Sequence, residues 1–353
     1  MDAYHVPAGQ QQARTHWGTH ESGAAFDRKK TTHLTEQAQT FIAQQAVCVI
    51  AGPGPDNELR GLLTVGTPGF VGTPDRRTCL LQLDPQFRNA RIIQQLRQSS
   101  PAERDVQLGL FFMCHPTRER LCVQGTANLL PYNVPILHRL FAPPREILVR
   151  LCVHQAFFHC AKYIKTRVVG LTAPVTLPSE QLWRPGDLLG CNQSYLSEEM
   201  RAFIAEQILC FLCTVDQHGQ YAVNHRGGAA GFLVTLPPNN AAPGGTIFLP
   251  DYAGNGAFEA VGNILETGQA ALVIPNYAAQ LALCVSGTAR IVELDELPTE
   301  LAQSCIGAER VVAVSVQRVE TQSGDWSAAL AYERARAEAL SASDDLVAAC
   351  PVS

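Results

Sequence analysis

FIAQQAVCV, starting at Phe41, returns as FIAEQILCF starting at Phe203, 162 residues later. GFV at Gly69 returns as GFL at Gly231, and LCVQGTA at Leu121 returns as LCVSGTA at Leu283, each again 162 residues on. Three anchors spread along each half hold one phase, which unrelated apolar strands would not do. The 353 residues therefore read as two copies of one domain of about 150 residues, the ordinary domain size. Residues 35–170 form copy one and 197–325 copy two. Residues 1–34, polar and rich in Gln, His and Thr, are expected to wrap the surface. Residues 171–196, with Pro174, Pro178, Pro185 and Gly186, read as a linker. Residues 326–353 read as an alanine-rich C-terminal helix and tail, its ERAR charges forming a solvated face.

Composition narrows the function classes. At 46% hydrophobic and 17% charged residues the chain can fill two globular cores. A net charge of −5 offers no basic field for nucleic acid or anionic lipid, which leaves a small-molecule ligand. No apolar run reaches the roughly 20 residues of a membrane span. The opening residues lack the basic start and apolar stretch of a secretory signal, so a cytoplasmic protein is expected. Most of the twelve cysteines sit in apolar strand-like runs, where they act as small buried hydrophobes. Cys210 and Cys213 form a C-x-x-C, but strand alternation sends them to opposite faces, and no metal site is expected.

Thr35 and Ser197 can cap short helices that lead into strands at 46–51 and 208–215. LALCVSGTARIV, from Leu281, alternates as a strand, and closing strands are expected at 147–157 and 310–319. Many short strands with few helices predict a mainly β fold: two tandem, mainly antiparallel barrels with helical caps, rather than a doubly wound sheet.

Three segments can carry chemistry. In HRGGAAGFLV (225–234), Arg226 stands beside Gly227 and Gly228, where backbone can approach a ligand and a guanidinium can grip phosphate. A bulged strand with a surface arginine explains the same residues. In LPDYAGNGAFEAVGNIL (249–265), Asn255-Gly256 fits a hairpin turn. It also fits a strand–turn–helix junction whose amides face an anion, with the helix starting near Gly256 to Ala257. Asp251, Gly262 and Asn263 favour the second version. In FHCAKYIKTR (158–167), His159, Lys162, Lys165 and Arg167 gather at a strand end, as donors to phosphate or as plain surface basics. A serine-hydrolase elbow, P-loop, HExxH and dinucleotide GxGxxG are all missing from the sequence.

GGAAGFLV, PDYAGN, GNI and LALCVSGTARIV together resemble the flavin-nucleotide-binding branch of the pyridoxamine 5′-phosphate oxidase-like split-barrel family. FHCAKYIKTR resembles the terminal-strand motif of that branch, a His-Cys-x-Lys or Asn-Cys-Pro-x-Tyr pattern. The resemblance spans about 35–170 and 197–320 and implies an FMN lodged between two barrels. It casts Arg226 as partner of the FMN phosphate or ring edge, and Asp251, Tyr252, Gly254, Asn255 and Gly256 as the turn over phosphate and ribityl chain. Gly227, Gly228 and Asn263 join that cofactor set, with Lys162 as a second cation. His159, or less directly His225, would donate a proton. Pyridoxamine 5′-phosphate oxidases proper carry Ser and Lys where this chain has Gly254 and Gly256, which argues against pyridoxal phosphate synthesis.

The motifs divide between the copies. HRGG and PDYAGN occur only in copy two, where Arg226 answers Thr64; HCAK occurs only in copy one, with Glu320, Thr321 and Gln322 opposite Phe158, His159 and Cys160. The expectation is an internal pseudo-dimer with one composite FMN site and a degenerate second one. A homodimer of whole chains is the alternative arrangement. The implied activity is flavin-mediated hydride or electron transfer on a small molecule, with NADPH as a candidate donor. The alternative is a non-catalytic flavin- or haem-binding module, for which His5, His16, His20 and His33 offer scattered imidazoles.

Overall fold

The computed structural model describes residues 6–99, 106–130, 147–173 and 183–349, with side chains as far as 342. Pro174, Pro178 and His5 lie outside the described residues. Helices α1 (Ala8–His16), α2 (His20–Asp27) and α3 (Glu36–Ala43) precede the first sheet. That sheet comprises β1 (Val47–Pro53), β2 (Leu59–Val65), β3 (Val71–Asp75), β4 (Thr78–Leu83), β5 (Val106–Cys114), β6 (Glu119–Leu129) and β7 (Ile147–Phe158). Helix α4 (Arg91–Gln98) lies between β4 and β5. The linker supplies α5 (Pro185–Leu188) and β8 (Asn192–Gln193), and α6 (Glu198–Glu206) opens copy two. The second sheet has β9 (Leu209–Val215), β10 (Tyr221–Gly227), β11 (Val234–Leu236), β12 (Thr246–Tyr252), β13 (Gln269–Asn276), β14 (Leu281–Val292) and β15 (Ala308–Ser323). Helix α7 (Glu259–Thr267) follows β12, α8 (Thr299–Ser304) follows β14, and α9 (Ser327–Ala349) closes the chain.

The sheet orders are β2-β1-β5-β6-β7-β4-β3 and β10-β9-β13-β14-β15-β12-β11. They are one topology written twice, antiparallel throughout, and each curls into a split barrel. The local chemistry repeats too. Thr35 accepts from the Ala38 amide at 3.1 Å and Ser197 from the Met200 amide at 3.3 Å, capping α3 and α6. Gln45 and Gln207 then donate back to the carbonyls of Phe41 and Phe203, both at 2.7 Å, fixing the exit from helix to strand.

Alternation along β1 and β9 creates three cores. Cys48 and Ile50 fill the first barrel, and Cys210 and Leu212 the second. Val49 and Ala51 meet Leu209, Phe211 and Cys213 in a third core between the copies. Cys210 and Cys213 thus lie in different cores. Each fully buried side chain of this size contributes about 1.5–3 kcal/mol, so the interface between copies is structural. Strand β2 lies across β13 and β14, while β10 lies across β5 and β6. The exchange makes a pseudo-two-fold pair within one chain.

Three expectations need correction. Residues 7–34 do not simply wrap the surface: Arg14 and Phe26 are buried, and Thr31 bridges Ala156 of β7. Gln193 of the linker pairs with Val319 of β15 in the equivalent place. The ERAR charges of α9 do not all face solvent. Glu333 is buried and accepts from the Ala46 amide, Arg334 donates to the Gly170 carbonyl, and Arg336 to the Gln44 carbonyl. The strand register sets Leu121 against Phe158 but Leu283 against Thr321. Thr321 therefore answers Phe158, and Gln322 answers His159, one residue later than constant spacing gives.

Candidate functional site

Strand β12 runs into a turn at 253–258 and then into α7. Asn255-Gly256 sits at this strand–helix junction, not in a hairpin, and the helix starts at Glu259, slightly later than expected. Asn255 accepts from the Ala257 amide at 3.1 Å through Oδ1, and Gly256 takes a φ of 71°. Phe258 precedes the helix at φ 55° without a side-chain cap, leaving the first-turn amides of α7 uncovered.

Copy one closes over this turn. Lys162 Nζ donates to the Gly254 carbonyl at 3.4 Å, and the Tyr163 hydroxyl to the Ala253 carbonyl at 3.0 Å. Arg120, from β6, holds the segment in place through the carbonyls of Cys160 at 2.7 Å and Lys162 at 3.2 Å. From copy two, Arg226 pairs with Asp251, which also accepts from Arg310 at 2.7 Å. Arg310 lies beneath the Trp17 and Phe258 rings, 4.3 and 4.8 Å from their centroids. The crevice between the copies encloses about 110 Å³.

His159, Lys162, His225, Arg226, Gly227, Asp251, Tyr252, Gly254, Asn255 and Gly256 all line this one crevice. Gly228 and Asn263 do not: Gly228 packs against Phe232, and Asn263 donates to Thr214 inside copy two. Sequence reading missed Arg120, Tyr163, Glu259 and Arg310. One signal was present: Arg120 replaces Ala282 at the head of an otherwise repeated strand.

Burial lowers the pKa of both crevice histidines. The His159 ring packs against Phe26 and Phe157 and meets Cys122 Sγ at 2.9 Å. Burial, then Arg120, Lys30 and Arg226, hold its pKa well below the usual value. His225 takes Arg120 Nη1 at 3.4 Å on Nδ1, and burial followed by Arg120, His115 and Arg226 keeps it neutral as well. Neither carries a spare proton near pH 7. Cys122, His159 and Glu259 bring donor atoms within 4.8 Å of one another. Glu259 accepts from Gln124 and Asn224, Cys122 donates to the Val223 carbonyl, and Lys30 and Arg120 add positive charge. A hydrogen-bonded cluster accounts for the three without an ion. His16, His20 and His33 are not among the residues that line the crevice.

These imidazoles give an acid sensitivity. Burial lowers His115 to about 4, and His159 and His225 also fall. Each binds a proton near pH 6.5 only when unfolded, so stability is full above that pH and drops as pH falls toward 4. The expected loss is about 1.4 kcal/mol per pH unit per histidine. Glu259, raised by burial, opposes it in part. Urea midpoints measured from pH 7.5 to 5 should fall with a slope above one proton; a flat profile contradicts the burial of these rings.

The pseudo-two-fold yields a second cleft of about 500 Å³, lined by Arg60, Arg91, Asn192, Glu320 and Gln322. At the position equivalent to Arg226, Thr64 is fully buried and donates to the Cys48 carbonyl rather than lining the cleft, and Arg91 opens α4 where Glu259 opens α7. Arg60 is already paired with Asp56 and Glu58, and Arg91 lies near Glu320. Among the described residues, Arg60 and Arg91 are the cations that line it, and both already face carboxylates.

Residues 196–323 match the family model described as Pyridoxamine 5'-phosphate oxidase. No curated protein matches the chain. Among solved structures, HupZ of Group A Streptococcus is similar at 18% identity, covering 35% of this chain and 90% of its own, with a TM-score of 0.27. A putative pyridoxamine 5'-phosphate oxidase from Lactobacillus delbrueckii gives 16%, 36%, 98% and 0.29 for the same quantities. HutZ, described as the haem storage protein of Vibrio cholerae, gives 14%, 36%, 94% and 0.23. No helix among the described residues is long and apolar enough to cross a membrane.

Proposed function

Because residues 196–323 belong to the pyridoxamine 5′-phosphate oxidase-like family, and the first sheet repeats their topology, we propose that this chain is an FMN-binding oxidoreductase whose two copies build one cofactor crevice. The observation that carries the reading is convergence. Arg120 and Lys162 from copy one, with Arg226 and Arg310 from copy two, surround a turn that ends in an uncapped helix. Among the described residues the crevice lining carries four cations and two carboxylates, Asp251 and Glu259, with Glu309 beside Arg310 outside it, so the balance favours an anion.

The fit is to the phosphate end. An enclosed volume of about 110 Å³ is well below the roughly 300–1,000 Å³ of pockets that swallow a whole ligand. The remainder of the cofactor would lie at the open mouth, beside the Tyr163 and Tyr252 rings, whose centroids are 5.4 Å apart. Bound there, the flavin supplies hydride or electron transfer itself. The chain's residues bind and orient. Arg226 and Lys162 neutralise phosphate, and Asn255 shapes the turn. His159 and His225, neutral, can accept a proton or donate one hydrogen bond, but do not act as imidazolium acids. The partner is a small-molecule substrate or electron donor, NADPH among the candidates. One chain supplies both halves of the site, so a homodimer is not needed for it.

Purified protein is expected to be yellow, with flavin absorbance that bleaches on anaerobic addition of NADPH. Arg226→Ala should weaken FMN binding about tenfold, some 1.4 kcal/mol. A colourless protein that ignores added FMN overturns the proposal, and a Soret band would replace it with haem binding.

A further inference from the structure

The turn that carries the crevice is held from outside by a segment belonging to neither barrel. Helix α1 lies so close on α7 that Gly9 meets the Gly262 backbone, and a Cβ on either residue would overlap the other helix. The Gly9 amide donates to Glu266 at 2.5 Å. Arg14, 4% exposed, donates to the Ala257 carbonyl through Nε at 3.3 Å and Nη2 at 3.2 Å. Its guanidinium is fixed by Asp27, at 2.6 and 3.1 Å. Thr19 donates to the Gly256 carbonyl at 3.2 Å, and Ser22 lies where a side chain on Gly256 would stand. Trp17 covers Arg310, which in turn holds Asp251 and through it Arg226.

These contacts fix orientation. In a trans peptide the carbonyl and the next amide point in opposite directions. Anchoring the Gly256 and Ala257 carbonyls outward turns the amides of Ala257 and Phe258 toward the crevice. Asn255 takes the first; the second joins the uncovered first-turn amides of α7. Peptide flips in a glycine-containing turn are otherwise cheap.

We infer that residues 7–30 form a strap that sets the anion-facing turn, with Arg14 as its positioning residue, so that ligand occupancy and strap docking are coupled. This rests on the anion-binding reading of the crevice. Arg14 does not touch the ligand; it acts through the Ala257 peptide. By reciprocity the ligand must stabilise the docked strap by the same factor that the strap improves ligand affinity.

The test uses the full chain. FMN is titrated into wild type, Arg14→Ala and Thr19→Val, and limited proteolysis within residues 7–30 is followed with and without FMN. Arg14→Ala should bind FMN at least tenfold more weakly and Thr19→Val about threefold, with flavin slowing strap cleavage in wild type by a comparable factor. Thr19→Val keeps the shape of the side chain and stays informative if Arg14→Ala misfolds. Wild-type affinity in both variants, or strap cleavage indifferent to FMN, overturns the inference while leaving the cofactor reading intact. If wild type binds no FMN, the cofactor reading fails instead. Inorganic phosphate then serves as the probe, and strap cleavage unaffected by it overturns the inference too.

Discussion

Gly109→Val is expected to destabilise the chain by about 3 kcal/mol and to loosen one copy from the other. Gly109 lies in β5, and a Cβ there would overlap the Tyr221 carbonyl oxygen of β10. That obstacle is backbone, with no flexible side chain to swing aside, so strand β10 must move as a unit. It carries His225 and Arg226, so the same change should also blunt ligand binding. Gly61→Val probes the equivalent crossing, β2 over β13, where the added carbons would meet Val273 and Cys213. Gly186→Ala is the control: nothing lies within 4 Å of its added carbon, and its urea midpoint should match wild type. Equal midpoints for Gly109→Val and wild type would mean that the copies do not pack as described.

Asp251→Asn should cost about 3–5 kcal/mol, the usual penalty for removing one partner from a buried ion pair. Asp251 serves two guanidinium groups, and the Arg310 side chain is only 3% exposed. Glu309 remains beside Arg310, but it is half-exposed and cannot neutralise Arg226. The loss should be partly reversible. FMN or inorganic phosphate entering the crevice offers the orphaned guanidinium groups a new counter-charge, so ligand should raise the melting temperature of Asp251→Asn more than that of wild type. An unchanged melting temperature without ligand, or an equal ligand-induced rise in both proteins, would contradict this account.

How much of this could be read from residues alone follows from what periodicity encodes. Alternation in LALCVSGTARIV and the 162-residue phase describe strands and their faces, and both sheets carry that pattern. Asymmetric motifs pointed at residues of both copies, and ten of those side chains and glycines share one crevice. Contacts between distant segments leave no periodic trace. Arg14 looks like any arginine in a polar helix, yet its partners are Asp27 and the Ala257 carbonyl. Asn263 fitted a ligand turn by composition, but it lies in the second turn of α7 and its side chain donates to Thr214. Glu333 and Arg336 looked solvated because the surface they dock on lies in copy one.

The covalent join between the barrels has a last consequence. In an assembly of identical subunits every substitution appears twice, so both clefts change together. Here Arg226 lines one cleft, while Thr64 at the equivalent position is buried and lines neither. The tether also keeps the halves at high effective concentration, so the crevice should survive dilution that would split two separate chains. Specialisation of one cleft therefore needs no second gene product.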